Sequence, residues 1–140
     1  MKEKMLITMS EEHIKIISLI AQLRETQNPS KRMNLFQNLK QELLGHMTSE
    51  EKALYQYLNL KDGKKHYDHH EIKEGLQRLN LIKISEDRWV EAFKQFGHVV
   101  EDHCRLEEID IFEKIDKILS NEEIKMMKYE YKQLKPVPSK

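Results

Sequence analysis

The sequence predicts an all-α protein, an up-down-up-down four-helix bundle with a short extra C-terminal helix. Three observations carry this. Glycine and proline are scarce, at four and three residues in 140. Lys, Glu, Leu and Ile abound, which favours helix. Apolar residues recur at steps of three and four between short breaks, the period of one helix face.

The first helix is expected from Ser10 to Arg24, with Ser10 as N-cap and Glu11 and Glu12 where the helix dipole favours acids. His13, Ile16, Ile17, Ile20 and Leu23 share its face. The run TQNPS breaks it. The second helix is expected from Lys31 to Leu58, with Leu35, Leu39, Leu43, His46, Glu50, Leu54 and Tyr57 in one stripe. NLKDGKK turns the chain, and Asp62-Gly63 is a loop signal. The third helix is expected from Lys65 to Leu79, with His66, His69, Ile72, Leu76 and Leu79 on its apolar face. ISED resembles a capping box, with Ser85 followed by acids. The fourth helix then runs from Glu86 to Leu119 along Trp89, Phe93, Phe96, Val100, His103, Glu107, Ile111, Ile115 and Ile118. A last, weakly amphipathic helix is expected from Glu122 to Leu134. Its Met126-Met127 and Tyr129/Tyr131 would cover one bundle end.

Size and charge narrow the functions. A chain of 140 residues suits one domain, with a core over about 6–120 and a C-terminal helix and tail over 121–140. At this size roughly 68% of the unfolded surface is buried on folding. Basic and acidic residues balance at 24 each, so no basic excess marks a nucleic-acid partner. No apolar run is long enough for a membrane span or a signal peptide. One cysteine, Cys104, excludes an internal disulfide and a thiolate-rich metal site, and fits a cytoplasmic location.

The chemistry lies in a repeat. HMTSEEKALY (46–55) and HCRLEEIDIF (103–112) share the form His-x-x-x-Glu-Glu with an aromatic nine residues after the His. They are 57 residues apart (103 − 46), as are Glu50 and Glu107 (107 − 50). Each has a histidine upstream: His13 lies 33 before His46, and His69 lies 34 before His103. Residues i and i+4 share a helix face, so one ion can meet both. A carboxylate on a buried stripe must be paired, hydrogen-bonded or metal-bound. Four imidazoles and two carboxylates are too many for one tetrahedral ion. They suffice for two ions bridged by the carboxylates. Imidazole with carboxylate suits iron, manganese or zinc.

EEHIKI, HMTSEEKALY, YDHHEIKEGLQRL and HCRLEEIDIF, in that order, resemble the hemerythrin-like HHE cation-binding family. The resemblance implies a four-helix bundle around a non-haem di-iron centre, with manganese and zinc ranked below iron. The implied ligands are His13, His46, Glu50, His69, His103 and Glu107. Glu50 and Glu107 would bridge, His13 and His46 would hold one iron, and His69 and His103 the other. Oxygen carriers of the family use a His-x-x-x-His pair on the third helix. His66 and His70 have that spacing, so His70 or His66 stands as an alternative to His69 or a fifth imidazole beside it. The carriers also have an Asp where this chain has Glu107-Glu108. The implied function is binding or sensing O2 or a related diatomic such as NO, with a redox or signalling protein as partner. The alternatives are peroxide or NO reduction, iron donation to damaged centres, and a metal-stabilised bundle that docks partners. Of the remaining candidates, His98 is expected at the surface. Glu51 and Glu108 are expected to be solvated or to orient an imidazole. Tyr55 and Phe112 are expected in the core. Cys104 is expected to point away from the site.

Overall fold

The structure is a computed structural model that describes residues 2–55, 69–111, 115, 117 and 119–134, with side chains placed for 9–54, 69–109, 115, 117 and 119–131. Five α-helices are described: α1 (Lys2–Glu25), α2 (Pro29–Ser49), α3 (His70–Asn80), α4 (Asp87–Leu106) and α5 (Asn121–Leu134). Helix α2 continues into a π-helical segment over Glu50–Tyr55, and α4 into another over Glu107–Ile111. No strand occurs among the described residues.

Side-chain pairs fix the helix directions. Lys15 bonds Glu42 and His46 bonds Glu12, so α1 and α2 run antiparallel. Lys40 meets Asn80, and Glu51 meets Lys73, so α2 and α3 oppose each other. Arg24 holds Glu101 while His13 holds Glu107, so α4 runs against α1. The order is up-down-up-down, as the short connections predict. Helix α5 lies against α2 and its π segment.

The bundle divides along its length. One half is apolar: Ile20, Leu23, Phe36, Leu39, Leu43, Leu76, Leu79, Trp89, Phe93 and Phe96 are all buried. Trp89 stacks on Phe93 at 5.1 Å and 5°, and Phe36 meets Trp89 edge-on at 5.1 Å. Each such buried side chain contributes about 1.5–3 kcal/mol over leaving it in water. Arg32 is buried here too. Its guanidinium donates to the Ile84 carbonyl at 2.6 Å and lies over Trp89. Gly75 lets α3 approach α4, because a Cβ there would fall 2.6 Å from Phe96 Cδ1. The other half holds the histidines.

Several boundaries differ from the sequence expectation. Helix α1 begins at Lys2, so Ser10 is no N-cap. The preceding residues are good helix formers, and the Ser10 hydroxyl donates sideways to Glu108 at 2.9 Å. Helix α2 begins at Pro29 rather than Lys31. Asn28 Oδ1 accepts from the Ser30 and Lys31 amides, and proline needs no partner for its missing N–H. Phe36 takes the core position expected of Leu35, which is half-buried. Ser85 does not cap α4. Glu86 holds the N-cap position, its carbonyl accepts from Trp89, and its carboxylate is drawn to Arg88. Ser120 caps α5, which begins at Asn121 rather than the expected Glu122. Its hydroxyl accepts from Glu123 N while Glu123 accepts from Ser120 N, a reciprocal capping box. The expected places of Tyr55, Tyr57, Leu58, His66, Ile111, Phe112 and Ile118 fall outside the residues whose side chains are described.

Candidate metal centre

Helices α1, α2 and α4 and the residue just before α3 bring six side chains together in the polar half. His13, His46, Glu50 and Glu107 offer ligand atoms within 4.8 Å of one another, and so do Glu50, His69, His103 and Glu107. The two carboxylates belong to both groups.

How they are shared is specific. Glu107 turns Oε1 to His13 Nε2 at 2.8 Å and His46 Nε2 at 3.7 Å. It turns Oε2 to His103 Nε2 at 3.0 Å and His69 Nε2 at 4.0 Å. Glu50 mirrors this. Its Oε2 lies 3.2 Å from His46 Nε2, and its Oε1 lies 2.9 Å from His69 Nε2 and 4.0 Å from His103 Nε2. Each carboxylate therefore gives one oxygen to each imidazole pair. The rings pair the same way, His13 with His46 at 4.9 Å and His69 with His103 at 4.7 Å between centroids.

The outer ring nitrogens face other acids. His46 Nδ1 lies 2.7 Å from Glu12 Oε1, and His69 Nδ1 lies 2.7 Å from Glu51 Oε2. His13 Nδ1 faces Glu108 Oε2 at 3.8 Å. At 3.8 Å His13 Nδ1 is too far from Glu108 for a hydrogen bond; at His46 and His69 Nδ1–H donates, because a carboxylate accepts only, and Nε2 looks inward. That arrangement orients an imidazole toward a metal.

Electrostatics point the same way. Burial alone would drive His46 toward neutrality, but the facing Glu50, the Glu107 carboxylate 3.7 Å away and the hydrogen bond to Glu12 hold its pKa well above the usual histidine value. Burial also opposes charge on His103, but the hydrogen bond to Glu107 and the Glu50 carboxylate 4.0 Å away prevail, raising it to about 9. Burial works upward on Glu107. Hydrogen bonds from the His103 and His13 imidazoles, with His46 close by, hold it well below the usual carboxylate range. Without a cation the cluster compensates its carboxylates with protons on imidazole. Even so, His46 Nε2 and Glu50 Oε2 face each other at 3.2 Å, both buried and neither in a hydrogen bond. Once His46 gives up its Nε2 proton, these two atoms are inward electron-pair donors that a cation would satisfy, so the donor set fits a metal.

Both π segments begin at the carboxylate, at Glu50 and at Glu107. Single π turns recur at functional sites in helices. Here they extend the 57-residue repeat from sequence into backbone geometry.

The sequence candidates distribute plainly. His69 is buried, but at a non-helical position just before α3 (φ −122, ψ 29) rather than on the expected helix face. His70, the alternative, has a 75% exposed side chain that pairs with Glu74. His66 lies outside the described residues. His98 is 73% exposed. Glu51 backs His69, as one of the two expectations for it had it. The Cys104 thiol is buried, which pushes its pKa up to about 12, so it stays protonated.

Two residues escaped the sequence reading. Glu12, expected in the first turn of its helix, is buried and backs His46. Its signal was its place three after Met9 and four before Ile16, on the buried stripe. Tyr131 of α5 is buried, donates its hydroxyl to Glu12 Oε1, and lies 3.2 Å from His46 Nδ1. Burial, then the Glu12 carboxylate, pushes its phenol pKa upward, so it remains a donor. Of the four residues expected to cover a bundle end, Met127 and Tyr131 turn inward, while Met126 and Tyr129 are exposed.

A bundle with a buried, carboxylate-shared histidine cluster defines a helical cation-binding protein. The chain matches the family model described as hemerythrin HHE cation binding domain over residues 5–115, and it belongs to that family. It is 28% identical over 129 residues to a protein named DNA nickase from Nostoc sp. (strain PCC 7120), a match covering 89% of this chain and 37% of that one. The chain thus spans just over a third of that relative's length. No solved structure matches it. No described helix is long and apolar enough to cross a membrane.

Proposed function

We propose that this chain is a non-haem di-iron protein that binds or senses O2 or a related diatomic such as NO. The carrying observation is the division of Glu50 and Glu107, each with one oxygen toward each imidazole pair. That supports two ions, with His13 and His46 on one, His69 and His103 on the other, and both carboxylates between. The absence of thiolate in the cluster, with hard oxygen and imidazole donors, favours iron over a structural zinc. Iron would supply the redox chemistry and the affinity for a diatomic. The chain supplies ligand geometry and keeps water from the buried side. His46 and His69 are held in the Nδ1–H form by Glu12 and Glu51, so each presents Nε2 without rearrangement.

A cytoplasmic setting, motivated by the lone Cys104, and a redox or signalling partner belong to the same reading. DNA nicking stays with the relative that bears the name, because most of that protein lies outside the match.

The test is spectroscopic. The protein is loaded anaerobically with Fe(II), then exposed to O2 or NO and returned to inert gas. Visible charge-transfer bands that come and go with the gas support binding or sensing. One-way oxidation with catalytic loss of peroxide would move the assignment to the enzymatic alternative. No bands with either gas would defeat the proposal.

A further inference from the structure

The family match ends at residue 115, yet a side chain from α5, residues 121–134, reaches the cluster. The two imidazole pairs also differ in surroundings. On one side His13, His46, Glu50 and Glu107 are all buried. Glu12 behind His46 is 7% exposed and takes the Tyr131 hydroxyl. On the other side the His103 side chain is 21% exposed. Glu51 behind His69 is 32% exposed and shared with Lys73, whose Nζ lies 3.0 Å from Oε1 and 2.9 Å from Oε2. A lysine on the backing carboxylate draws negative charge away from the imidazole, whereas a neutral hydroxyl steers the carboxylate and leaves its charge in place. Ile124 and Met127 seat α5 beside Tyr131, so the phenol is held by packing.

The geometry points to Tyr131 as a positioning residue for the metal centre: it fixes Glu12, Glu12 fixes His46, and the His13–His46 position thereby becomes the tighter of the two. This rests on the two-metal reading. It adds that the positions are unequal and that a helix outside the family's own segment makes them so. The hydroxyl does the positioning. The ring and the rest of α5 only pack.

The test uses the full chain, made metal-free and titrated anaerobically with Co(II) against a competing chelator, followed by the d–d bands. Wild type should fill in two resolved steps. Tyr131→Phe keeps the ring and removes the hydroxyl. It should weaken the tighter step about 10-fold, the lower end of what outer partners of ligating histidines are worth, and leave the weaker step in place. It should also shift the exchangeable Nδ1–H proton of His46 in the cobalt-loaded NMR spectrum. Met127→Leu changes the same buried face without touching a hydrogen bond and should match wild type, because such swaps are tolerated in cores. Thermal unfolding of the metal-free variants checks that all fold alike. Two unchanged steps in Tyr131→Phe would overturn the inference. Equal weakening of both steps, or equal weakening by Met127→Leu, would overturn it too, since α5 would then be packing alone. A wild type that takes up one cobalt would defeat the two-metal reading, and the inference with it.

Discussion

The metal-free protein should lose stability as pH rises from neutrality. His103 goes from an ordinary 6.5 to about 9 on folding, because the hydrogen bond to Glu107 and the nearby Glu50 carboxylate outweigh burial. A raised histidine binds its proton more tightly in the folded state. Its contribution is complete below 6.5 and lost as pH climbs through 9. At about 1.4 kcal/mol per pH unit, that interval is worth about 3 kcal/mol. Domains of this kind are stable by only about 5–15 kcal/mol, so the loss is measurable. His46 shifts in the same direction and adds to it. Glu107, held low, works at the other end, contributing above 4.5 and losing its contribution as pH falls below that. The metal-free chain should therefore be most stable between about 4.5 and 6.5. Trp89 is the chain's one tryptophan, buried and stacked on Phe93, so its fluorescence reports unfolding. Urea titrations in chelator from pH 6 to 9.5 should show a falling midpoint. His103→Gln should flatten the fall, and His98→Ala, at the surface, should not. A midpoint flat or rising over that range in the wild type would refute the electrostatic account of the cluster.

Three more expectations concern other parts of the molecule. Loading the cluster with a divalent ion should release protons, measurable in weak buffer, because His46 and His103, whose pKa values are raised in the metal-free protein, must give up a proton to ligate; uptake with no release would contradict the protonated metal-free state. Gly75→Ala would place a methyl against the Phe96 ring, and the strain of about 1–3 kcal/mol should exceed the gain in helix propensity of about 1 kcal/mol; an unchanged or raised unfolding midpoint would show that the helices can move apart. His69→Ala should lower metal uptake and His70→Ala should not, since one is buried against Glu50 and the other pairs with Glu74 at the surface; the opposite result would reverse the choice between them.

The repeat makes the cluster legible in the sequence. His13, His46, Glu50, His103 and Glu107 were on inward stripes because a ligand facing a shared centre keeps the same helical phase as the Leu and Phe beside it. His69 was legible as a residue but not as a geometry. It stands just outside α3, where helical phase carries no information. Glu12 was legible in phase and hidden by composition, since Glu11 and Glu12 together look like an acidic first turn. The π turns at Glu50 and Glu107 left no mark, because a widened turn adds a hydrogen-bond pattern and no residue type. Tyr131 could not be reached from periodicity at all. Its partner is 119 residues away, and only the docking of α5 brings them together. Helix ends were misplaced wherever a side chain had a better partner than the backbone, as for Ser10 with Glu108 and Glu86 with Arg88.

Anaerobic Fe(II) uptake, counted per chain after removal of loose metal, tests the central claim most directly. Two irons per chain are predicted, with occupancy lost in His46→Ala and Glu107→Ala and retained in His98→Ala. Fewer than one iron per chain, or the same occupancy in all three variants, would contradict it.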